Sequence, residues 1–385
     1  MYFKDQAESN YPSKFQCGYV IPLSLAVRLI CRLNRFKEPV LKHYLFYISQ
    51  NYSYAILRPL QKLIQARGDK AAWFLEGKEV NPDYLNDSEC HLKSIEQAVA
   101  FKPDAVFVPG NVVPSFIPGI KVGVFHGFNS GKLNRRGLED HFNIRGCFDL
   151  YCTQGPNTTL PFIELAKEHQ HFSVKETGWP ALDPLFIEGD KAKHDRPIVL
   201  LCSTFSRALS CAPHLFETVK NLSATGKWQW LVQFHPKMPA ALVDQYKSLE
   251  SEHLSFIETD NVIPLLQQAD VMVCDTSSVL MMFLMLNKPV VTFKNIQPKD
   301  YMLDISETDK LESSIEYALS YPQNLESKVQ QFIKETHPNV DGLSSMRTLE
   351  ATDQLIDGKN LPNKSKPLNL LRRFKMRKKL GYWKF

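Results

Sequence analysis

Residues 258–293 read ETDNVIPLLQQADVMVCDTSSVLMMFLMLNKPVVTF, and this stretch decides the fold class. The spacing of its apolar residues predicts a short helix over Val262–Gln268, a buried strand over Val271–Cys274 and a second helix over Ser278–Leu286. Lys288-Pro289 ends that helix, and a second apolar strand completes the unit. Strands that alternate with helices indicate an α/β fold built on a parallel sheet.

The turn between the first strand and the second helix is rich in small hydroxyl residues. It reads Asp275-Thr276-Ser277-Ser278. A turn of this kind at a helix start offers backbone N–H groups, hydroxyls and the positive end of the helix dipole to one point, which suits a phosphate. An ordinary helix cap formed by Ser277 or Ser278 is the alternative. The sequence therefore predicts a phosphate or diphosphate ligand here, with the cap as its rival.

The same alternation occupies most of the chain in two series. The first series begins with a strand at Tyr44–Ile48, and the second begins with one at Ile198–Cys202. The charged segment Glu188–Arg196 separates them and marks the expected boundary. The sequence therefore predicts two Rossmann-like domains facing a central cleft. The expected divisions are an N-terminal helical segment at 1–42, a first domain at 43–188, a second domain at 197–358 and a basic amphipathic tail at 359–385.

Polar residues follow four of the predicted strands at the point where each strand ends. His126 begins the first of these turns, residues 203–207 form the second, His235 begins the third, and residues 275–278 form the fourth. In open parallel sheets, ligands lie beyond the carboxyl ends of the strands, so we expect all four turns to face the cleft. A single histidine at a strand end is commonly a structural hydrogen-bonding residue, which is the alternative for each one taken alone.

These turns supply the candidate site residues. His126 and His235 are the candidate catalytic pair. The candidate donor- and phosphate-binding residues are Thr204, Arg207, Thr276, Ser277 and Ser278. Weaker candidates are Gly127, Lys132, Asp183 and Asp275. Lys132 is also compatible with a solvated side chain, and Asp183 with a cap of the turn at Pro184.

Cysteine spacing and the N-terminal sequence bear on the compartment. The eight cysteines include no C-x-x-C pair of the kind found in zinc or redox sites, and several lie in apolar runs. This favours reduced core thiols in a cytoplasmic protein. The polar start, Met1–Lys14, does not resemble a signal peptide, and the apolar run Val20–Ile30 is too short to span a bilayer.

The charge of the chain is concentrated at its C-terminal end. The whole chain has a net charge of +5, and the segment Lys364–Phe385 holds nine Lys and Arg residues and no acid. Leu370, Leu371, Phe374 and Trp383 lie among these cations, which is typical of a segment that binds an anionic membrane surface. Nucleic acid is a competing polyanion, but no recognisable nucleic-acid module accompanies the tail. A solvated, disordered tail is the other alternative.

Six motifs follow one another between residues 120 and 350. They are His126-Gly127 with Lys132, Gly178-Trp179-Pro180-Ala181-Leu182-Asp183, Ser203-Thr204-Phe205-Ser206-Arg207, Phe234-His235-Pro236, Asp275-Thr276-Ser277-Ser278-Val279 with Lys288-Pro289-Val290, and Asp341-Gly342 with Arg347. This succession resembles the CDP-glycerol glycerophosphotransferase family of surface-polymer synthesis.

The resemblance implies two Rossmann-like domains of the GT-B type, the first on the acceptor side and the second binding the nucleotide donor. It implies transfer of a polyol phosphate from a CDP-activated donor to a hydroxyl of a polysaccharide or lipid-linked acceptor, at the inner face of the cell membrane. His126 and His235 match the family's two essential histidines, and Ser277 and Ser278 match its diphosphate-binding turn. The chain departs from the family pattern at Ser203, Gln233-Phe234, Thr276 and Met282-Phe283, which leaves the polyol and the nucleotide open.

The chemistry of such a transfer needs alignment, neutralised charge at the leaving phosphate and a base for the attacking hydroxyl. No Asp-x-Asp motif occurs, so we expect neither a metal nor another cofactor, and compensation instead from Arg207, His235 and the serine turn. His126 is the candidate base, with the reverse assignment of the two histidines open. A non-hydrolysing UDP-N-acetylhexosamine 2-epimerase, another sugar-nucleotide enzyme such as a glycosyltransferase, and a non-catalytic nucleotide-binding scaffold are the alternatives.

Overall fold

Two parallel six-stranded sheets organise the part of the chain that the structure describes. The structure is a computed structural model that describes residues 41–128, 137, 139–187, 195–259, 261–277 and 279–384. All but the last two residues of the expected N-terminal helical segment, 1–42, lie outside the described residues. From Lys42 onward the chain forms one compact unit.

The first sheet is built from the first half of the chain. Its strands are β1 (His43–Ile48), β2 (Lys70–Leu75), β3 (Ala105–Val108), β4 (Ile120–Gly123), β5 (Leu150–Thr153) and β6 (Ser173–Glu176). They lie in the order β2-β1-β3-β4-β5-β6, and all neighbours are parallel. The accompanying helices are α1 (Ser53–Ala66), α2 (Ile95–Ala100), α3 (Pro156–His169) and α4 (Asp183–Phe186).

The second sheet repeats this arrangement. Its strands are β7 (Ile198–Ser203), β8 (Gln229–Phe234), β9 (Leu254–Phe256), β10 (Val271–Cys274), β11 (Val290–Phe293) and β12 (Leu303–Ile305), in the order β12-β11-β10-β7-β8-β9. The helices of this half are α5 (Ala212–Ala224), α6 (Ala240–Lys247), α7 (Ile263–Gln268), α8 (Val279–Leu284), α9 (Leu311–Ser320) and α10 (Gln323–Thr336). Two further helices, α11 (Ser344–Ile356) and α12 (Leu370–Leu380), follow in the chain and pack on the first sheet. The two-domain α/β fold class expected from the sequence is confirmed.

Burial explains why these segments form strands. All six residues of β7 and all four of β10 are buried, which is the pattern of central parallel strands covered by helices on both faces. Residues on opposite faces of β7 enter two different core clusters: Leu200 belongs to one and Leu201 to the other. The period of two along the strand thus divides the apolar side chains between the two helical layers.

Several elements differ from the sequence-based expectation, most of them by a residue at one end. The apolar run before His126 predicts a strand over Val122–Phe125, whereas β4 ends at Gly123, because Phe125 adopts a left-handed backbone conformation with φ of 57° that breaks the strand. The described helix after the serine turn, α8, covers Val279–Leu284, so it ends two residues before the expected Leu286. β12 was not expected, since only three residues of mixed polarity form it.

The chain returns to the first sheet after α10. Leu349 and Leu355 of α11 share a core cluster with Leu57 of α1 and Val122 of β4. This helix falls within the expected second domain, 197–358, yet its apolar face packs on the first sheet. The domain limits therefore stay a prediction, with α11 as the element that crosses between the two halves.

The basic tail forms a helix that is docked on the first sheet. Tyr382 is buried and stacks on Phe116 with ring centroids 4.8 Å apart, and the Arg377 guanidinium lies 4.8 Å from the centre of the Phe116 ring. The Lys379 ammonium lies 2.5 Å from a carboxylate oxygen of Glu76. The connection from β3 to β4 contains no helix, and α12 covers part of the sheet face it leaves open. The alternative of a solvated, disordered tail is wrong for residues 370–384.

No helix among the described residues is long and apolar enough to cross a membrane.

Candidate functional site

Four adjacent strands of the second sheet end at one edge. β11, β10, β7 and β8 are consecutive in the sheet, so the turns that follow them lie side by side. The turn after β10 holds Thr276 and Ser277, the turn after β7 holds Thr204 and Arg207, and the turn after β8 begins at His235. The structure thus brings together three of the four turns that the sequence singled out. Ser278 and Lys132 lie outside the described residues.

Asp275 is the residue that fixes the geometry of this edge. Its fully buried carboxylate accepts hydrogen bonds from the Ser203 hydroxyl (2.6 Å), the Thr204 N–H (3.0 Å) and the Cys211 N–H (3.0 Å). Because all three donors come from the turn after β7 and the start of α5, the carboxylate holds that turn against its own. Asp275 therefore holds two turns of the candidate site together, and its place among the weaker site candidates stays a prediction.

Thr276 and Ser277 have different neighbours. The Thr276 hydroxyl accepts a hydrogen bond from the Ile296 N–H at 3.1 Å, which ties the turn after β11 to the same edge. Ser277 is half-buried, and its carbonyl accepts from the Leu280 N–H at 3.3 Å as the short helix α8 begins. The six described residues of α8 offer only a small dipole, so an anion at this edge would depend mainly on the hydroxyls and cations of the neighbouring turns.

His235 is exposed and held in one tautomer. The Lys237 backbone N–H donates to its Nδ1 at 3.1 Å, so the neutral ring carries its proton on Nε2. Partial burial and the Lys237 charge lower the pKa of His235 below its usual value. Phe205 stacks on the ring with centroids 4.5 Å apart. His235 therefore presents an N–H donor at this edge.

A cavity adjoins His235 at the ends of β8 and β9. Its volume is about 420 Å³, which is in the range of small-ligand pockets. It is lined by Phe234, His235, Pro236, Val243, Phe256, Ile257, Glu258 and Thr259. The lining combines apolar walls with a few polar groups, as in a site for a flat, partly polar ring.

His126 lies at the corresponding edge of the first sheet and has the opposite tautomer. The left-handed conformation of Phe125 turns the chain just before it, and a strained backbone at such a point is often functional. Its Nδ1 lies 3.1 Å from the Pro109 carbonyl oxygen, which only accepts, so Nδ1 carries the proton. The exposed imidazole therefore has an unprotonated Nε2 that is able to accept a proton.

Neighbours that the sequence reasoning missed support His126. The buried Gln154, which follows β5, donates from Nε2 to the Gly127 carbonyl at 3.0 Å. The ring of Tyr52, beyond the end of β1, stacks on the imidazole with centroids 5.8 Å apart. Applying the strand-end rule to β1 and β5 as well would have found both residues. A Cβ added at Gly127 would meet no atom of the described chain within 4 Å, so steric crowding does not explain why a glycine occupies this position.

Burial affects a second histidine near this turn. His141 stacks on Phe125 with centroids 4.9 Å apart, and burial, with the nearby His126 charge, lowers the pKa of His141 to about 4. It is neutral near pH 7 and contributes no charge to the site.

Asp183 has a structural role in the fold. It is buried, and its two carboxylate oxygens accept hydrogen bonds from the backbone N–H groups of Ser344 (2.8 Å) and Ser345 (2.7 Å). These are the first two residues of α11, so Asp183 supplies acceptors to that helix start. The structure therefore gives Asp183 a cap at α11 and not at the Pro184 turn, and its place among the weaker site candidates stays a prediction.

A residue of the turn that carries His126 packs toward the second half of the molecule. Phe128 packs edge-on against Trp179, with ring centroids 5.4 Å apart, and lies against the core cluster that includes Leu200 of β7. Phe128 thus connects the turn after β4 to a core cluster that both halves of the chain share. Among the described residues, no group of three or more His, Cys, Asp or Glu side chains is arranged to hold a metal ion.

Comparison with known proteins finds one family whose model matches part of the chain. Residues 169–302 match the model of the CDP-glycerol:poly(glycerophosphate) glycerophosphotransferase family. The expected resemblance to this family is confirmed. The matched segment contains Arg207, His235 and the 275–277 turn, whereas His126 precedes it. The match associates the chain with transferases of phosphate-containing groups. None of the curated proteins matches the chain.

Solved structures share the fold at low sequence identity. The wall teichoic acid polymerase TagF is 14% identical, with a TM-score of 0.60 over 82% of this chain and 90% of that one. A putative UDP-N-acetylglucosamine 2-epimerase from Listeria monocytogenes is 15% identical, with a TM-score of 0.59 over 86% of this chain and all of the other. The UDP-bound MnaA of S. aureus is 14% identical, with a TM-score of 0.56 over 85% of this chain and all of the other. These similarities confirm the two-domain fold.

Proposed function

We propose that this protein transfers glycerol phosphate, or a related polyol phosphate, from a CDP-activated donor to a hydroxyl of a cell-surface polysaccharide or teichoic-acid-like acceptor. The observation that carries the proposal is the opposite tautomers of the two exposed histidines. His126 offers an unprotonated Nε2, and His235 offers an Nε2–H donor. A transfer between a hydroxyl and a diphosphate needs one of each, a base and a donor to the phosphate.

The roles follow from these protonation states. The acceptor hydroxyl gives its proton to His126 Nε2 as its oxygen attacks the phosphorus that carries the polyol. The bond from that phosphorus to the bridging diphosphate oxygen breaks, and CMP leaves with the electron pair. His235 Nε2–H, Arg207 and the hydroxyls of Thr204 and Ser277 compensate the negative charge of the diphosphate. Arg207 is exposed and has no ion-pair partner within the described residues, so its charge is available.

The donor fits the second sheet in this proposal. The diphosphate lies over the turns after β10 and β7, and the cytosine ring enters the cavity beside His235. Ser278, which the structure does not describe, and Ser277 are both proposed to bind the diphosphate. The domain assignment stays as predicted, with the acceptor on the first domain and the donor on the second.

An epimerase is the second candidate, because solved epimerases share the fold with nearly the same TM-score as TagF. The family match favours the transferase. Separate incubations with CDP-glycerol and with UDP-N-acetylglucosamine, followed by chromatography of the nucleotides and sugars, distinguish the two. CMP release that needs an added acceptor supports the transferase. Epimerised sugar nucleotide, or no turnover of any nucleotide in a donor panel, contradicts it.

Two histidine variants test the mechanism. We expect His126→Ala to lower the single-turnover rate by about 10²–10⁴ with donor affinity nearly unchanged, because proton removal matters only in the transition state. His235→Ala should weaken donor binding as well as rate. His169→Ala, on the far end of α3, is the control and should change neither. Near-normal turnover in His126→Ala would rule out its role as the base.

We also propose that the protein works on the inner face of the cell membrane through the surface of α12. Leu370, Leu371 and Phe374 are 68%, 81% and 57% exposed, although the helix itself is docked. Lys375 and Lys378 are exposed beside them, so the surface combines apolar anchors with cations. The proposed partner is an anionic lipid surface and not a nucleic acid.

Vesicle co-sedimentation tests this surface. Leu371→Glu with Phe374→Glu should release the protein from phosphatidylglycerol-containing vesicles at low salt and leave the melting temperature unchanged. Leu160→Glu, at a 62% exposed leucine on α3, is the matched control and should leave binding intact. Equal vesicle binding by the double variant and the wild type would discard the membrane proposal.

A further inference from the structure

Tyr52 and the loop residues 79–84 form an ordered surface beside His126, here called the wall, that has no assigned ligand. Tyr52 stands at the start of α1, is 47% exposed and stacks on the His126 imidazole at an interplanar angle of 28°. Within the described residues, the Tyr52 hydroxyl makes no hydrogen bond. An exposed ring beside the proposed base, with a free hydroxyl, has the amphipathic character of a binding surface.

The loop after β2 is fastened beside Tyr52. Gln50 Nε2 donates to a Glu79 carboxylate oxygen at 3.0 Å, and the Asn81 N–H donates to Asn51 Oδ1 at 2.8 Å. The Tyr54 hydroxyl donates to the Asn81 carbonyl at 3.0 Å. Three hydrogen bonds thus hold residues 79–84 on the turn that carries Tyr52. The wall is preorganised, which lowers the entropic cost of binding a ligand.

The charge of this wall is informative. The exposed charged residues of the loop are Lys78, Glu79, Asp83 and Asp87, and the nearby Arg58 is paired with Glu89, so acids outnumber cations there. The neighbouring Glu76 is already paired with Lys379 of α12. Exposed carboxylates disfavour a phosphate-bearing chain end and readily accept hydrogen bonds from hydroxyl groups.

We infer that Tyr52 and residues 79–84 form the acceptor subsite, and that it takes an uncharged, hydroxyl-rich sugar ring and not a polyol-phosphate chain end. One face of the ring stacks on Tyr52, and its hydroxyls bond to the polar groups of Gln50 and Glu79. A hydroxyl of that sugar then lies beside His126 Nε2. The role of this subsite as the acceptor site rests on the proposed function. The binding of a sugar to Tyr52 does not depend on it.

Lys379 connects this subsite to the proposed membrane surface. It lies on α12 and pairs with Glu76, which directly follows β2 and precedes the loop. The two proposed surfaces are therefore neighbours on one side of the first sheet. A sugar carried on a lipid in the membrane plane fits this arrangement.

Saturation-transfer NMR without any donor tests the subsite. The probes are the methyl glycosides of glucose, galactose, N-acetylglucosamine and N-acetylgalactosamine, with glycerol 1-phosphate as the anionic comparison. We expect at least one glycoside to bind and glycerol 1-phosphate to bind more weakly. Tyr52→Ala should weaken glycoside binding by roughly tenfold, and Tyr52→Phe by less because the ring remains. Tyr317→Ala, at a 44% exposed tyrosine of α9, is the matched control.

The outcomes separate this inference from the proposed function. Failure of all four glycosides to bind, unchanged binding in Tyr52→Ala, or tighter Tyr52-dependent binding of glycerol 1-phosphate overturns the subsite. A melting curve and the shift of the His126 imidazole proton in Tyr52→Ala show whether the fold persists and the stacking is lost. Tyr52-dependent sugar binding in a protein that turns over no CDP-glycerol overturns the proposed function and leaves the subsite standing.

Discussion

The Trp179 backbone N–H donates a hydrogen bond to Nε2 of His337, with 2.8 Å between the two nitrogens. His337 directly follows α10 and is completely buried, and its ring stacks on that of Phe186 with centroids 6.0 Å apart. An added Cβ at Gly178, which has a φ of 79°, would lie 2.4 Å from the Ser344 hydroxyl oxygen. The crossing between the two halves is therefore tightly packed around a neutral imidazole.

This burial predicts a loss of stability in acid. Burial lowers the pKa of His337 from its ordinary 6.5 to about 4. Between those pH values the unfolded chain binds a proton at this residue and the folded chain does not, so the free energy of unfolding falls as the pH falls. The contribution amounts to about 3 kcal/mol across that window. His337→Gln should flatten the dependence in urea unfolding at pH 7, 5.5 and 4.5.

The comparison needs two further variants. His141→Gln should flatten the curve independently, because burial also lowers the pKa of His141 to about 4. His169→Gln should leave it unchanged. An equal slope in His337→Gln and wild type would show that the ring takes up its proton without unfolding.

Asp275 gives a second prediction, which separates structure from ligand binding. Asp275→Ala leaves the buried N–H groups of Thr204 and Cys211 without their acceptor, at a cost of about 1–3 kcal/mol each. We expect a clearly lower melting temperature and a loss of donor binding that follows from the disordered turn. Asp309→Ala, at an exposed carboxylate, is the control. A variant that melts like wild type but binds no donor would instead make Asp275 a ligand.

The alternation of strands and helices was predictable because buried parallel strands have short, continuous apolar sequences. β10 has the expected bounds, Val271–Cys274, and the strand-end rule located His126 and His235. The partners of those residues were not predictable in the same way. Asp275 binds donors 64 to 72 positions upstream, and no local pattern records such a contact.

The tail shows a different limit of sequence reasoning. Composition revealed its cations and apolar residues but not the gap on the first sheet that α12 fills. That gap depends on the absence of a helix between β3 and β4, in another part of the chain. The tautomers of His126 and His235 likewise depend on single backbone groups, the Pro109 carbonyl and the Lys237 N–H.

Arg207, in the turn after β7, gives a third prediction. Hydrogen bonds to a charged group are worth about 1.5–3 kcal/mol each, so Arg207→Ala should weaken donor binding by roughly tenfold to a hundredfold. Because the side chain is exposed, the melting temperature should not change. Arg207→Lys should recover only part of the affinity, since a lysine lacks the planar fork. Calorimetric titration with CDP-glycerol measures this, with Lys334→Ala as the control; equal affinity in Arg207→Ala would remove Arg207 from the site.

We expect deletion of residues 364–385 to destabilise the whole first sheet. The deletion uncovers Phe116, which Tyr382 and Arg377 cover, and leaves the buried Glu76 carboxylate without the Lys379 ammonium. The Glu76 side chain is 7% exposed but that of Lys379 is 58% exposed, so the lost pair costs less than a fully buried one and the lost packing on Phe116 adds to it. We therefore expect poor solubility or a strongly lowered melting temperature. The Leu371→Glu, Phe374→Glu double variant keeps the docked face and should melt like wild type. A truncated protein that melts at the wild-type temperature would show that α12 is dispensable for the fold.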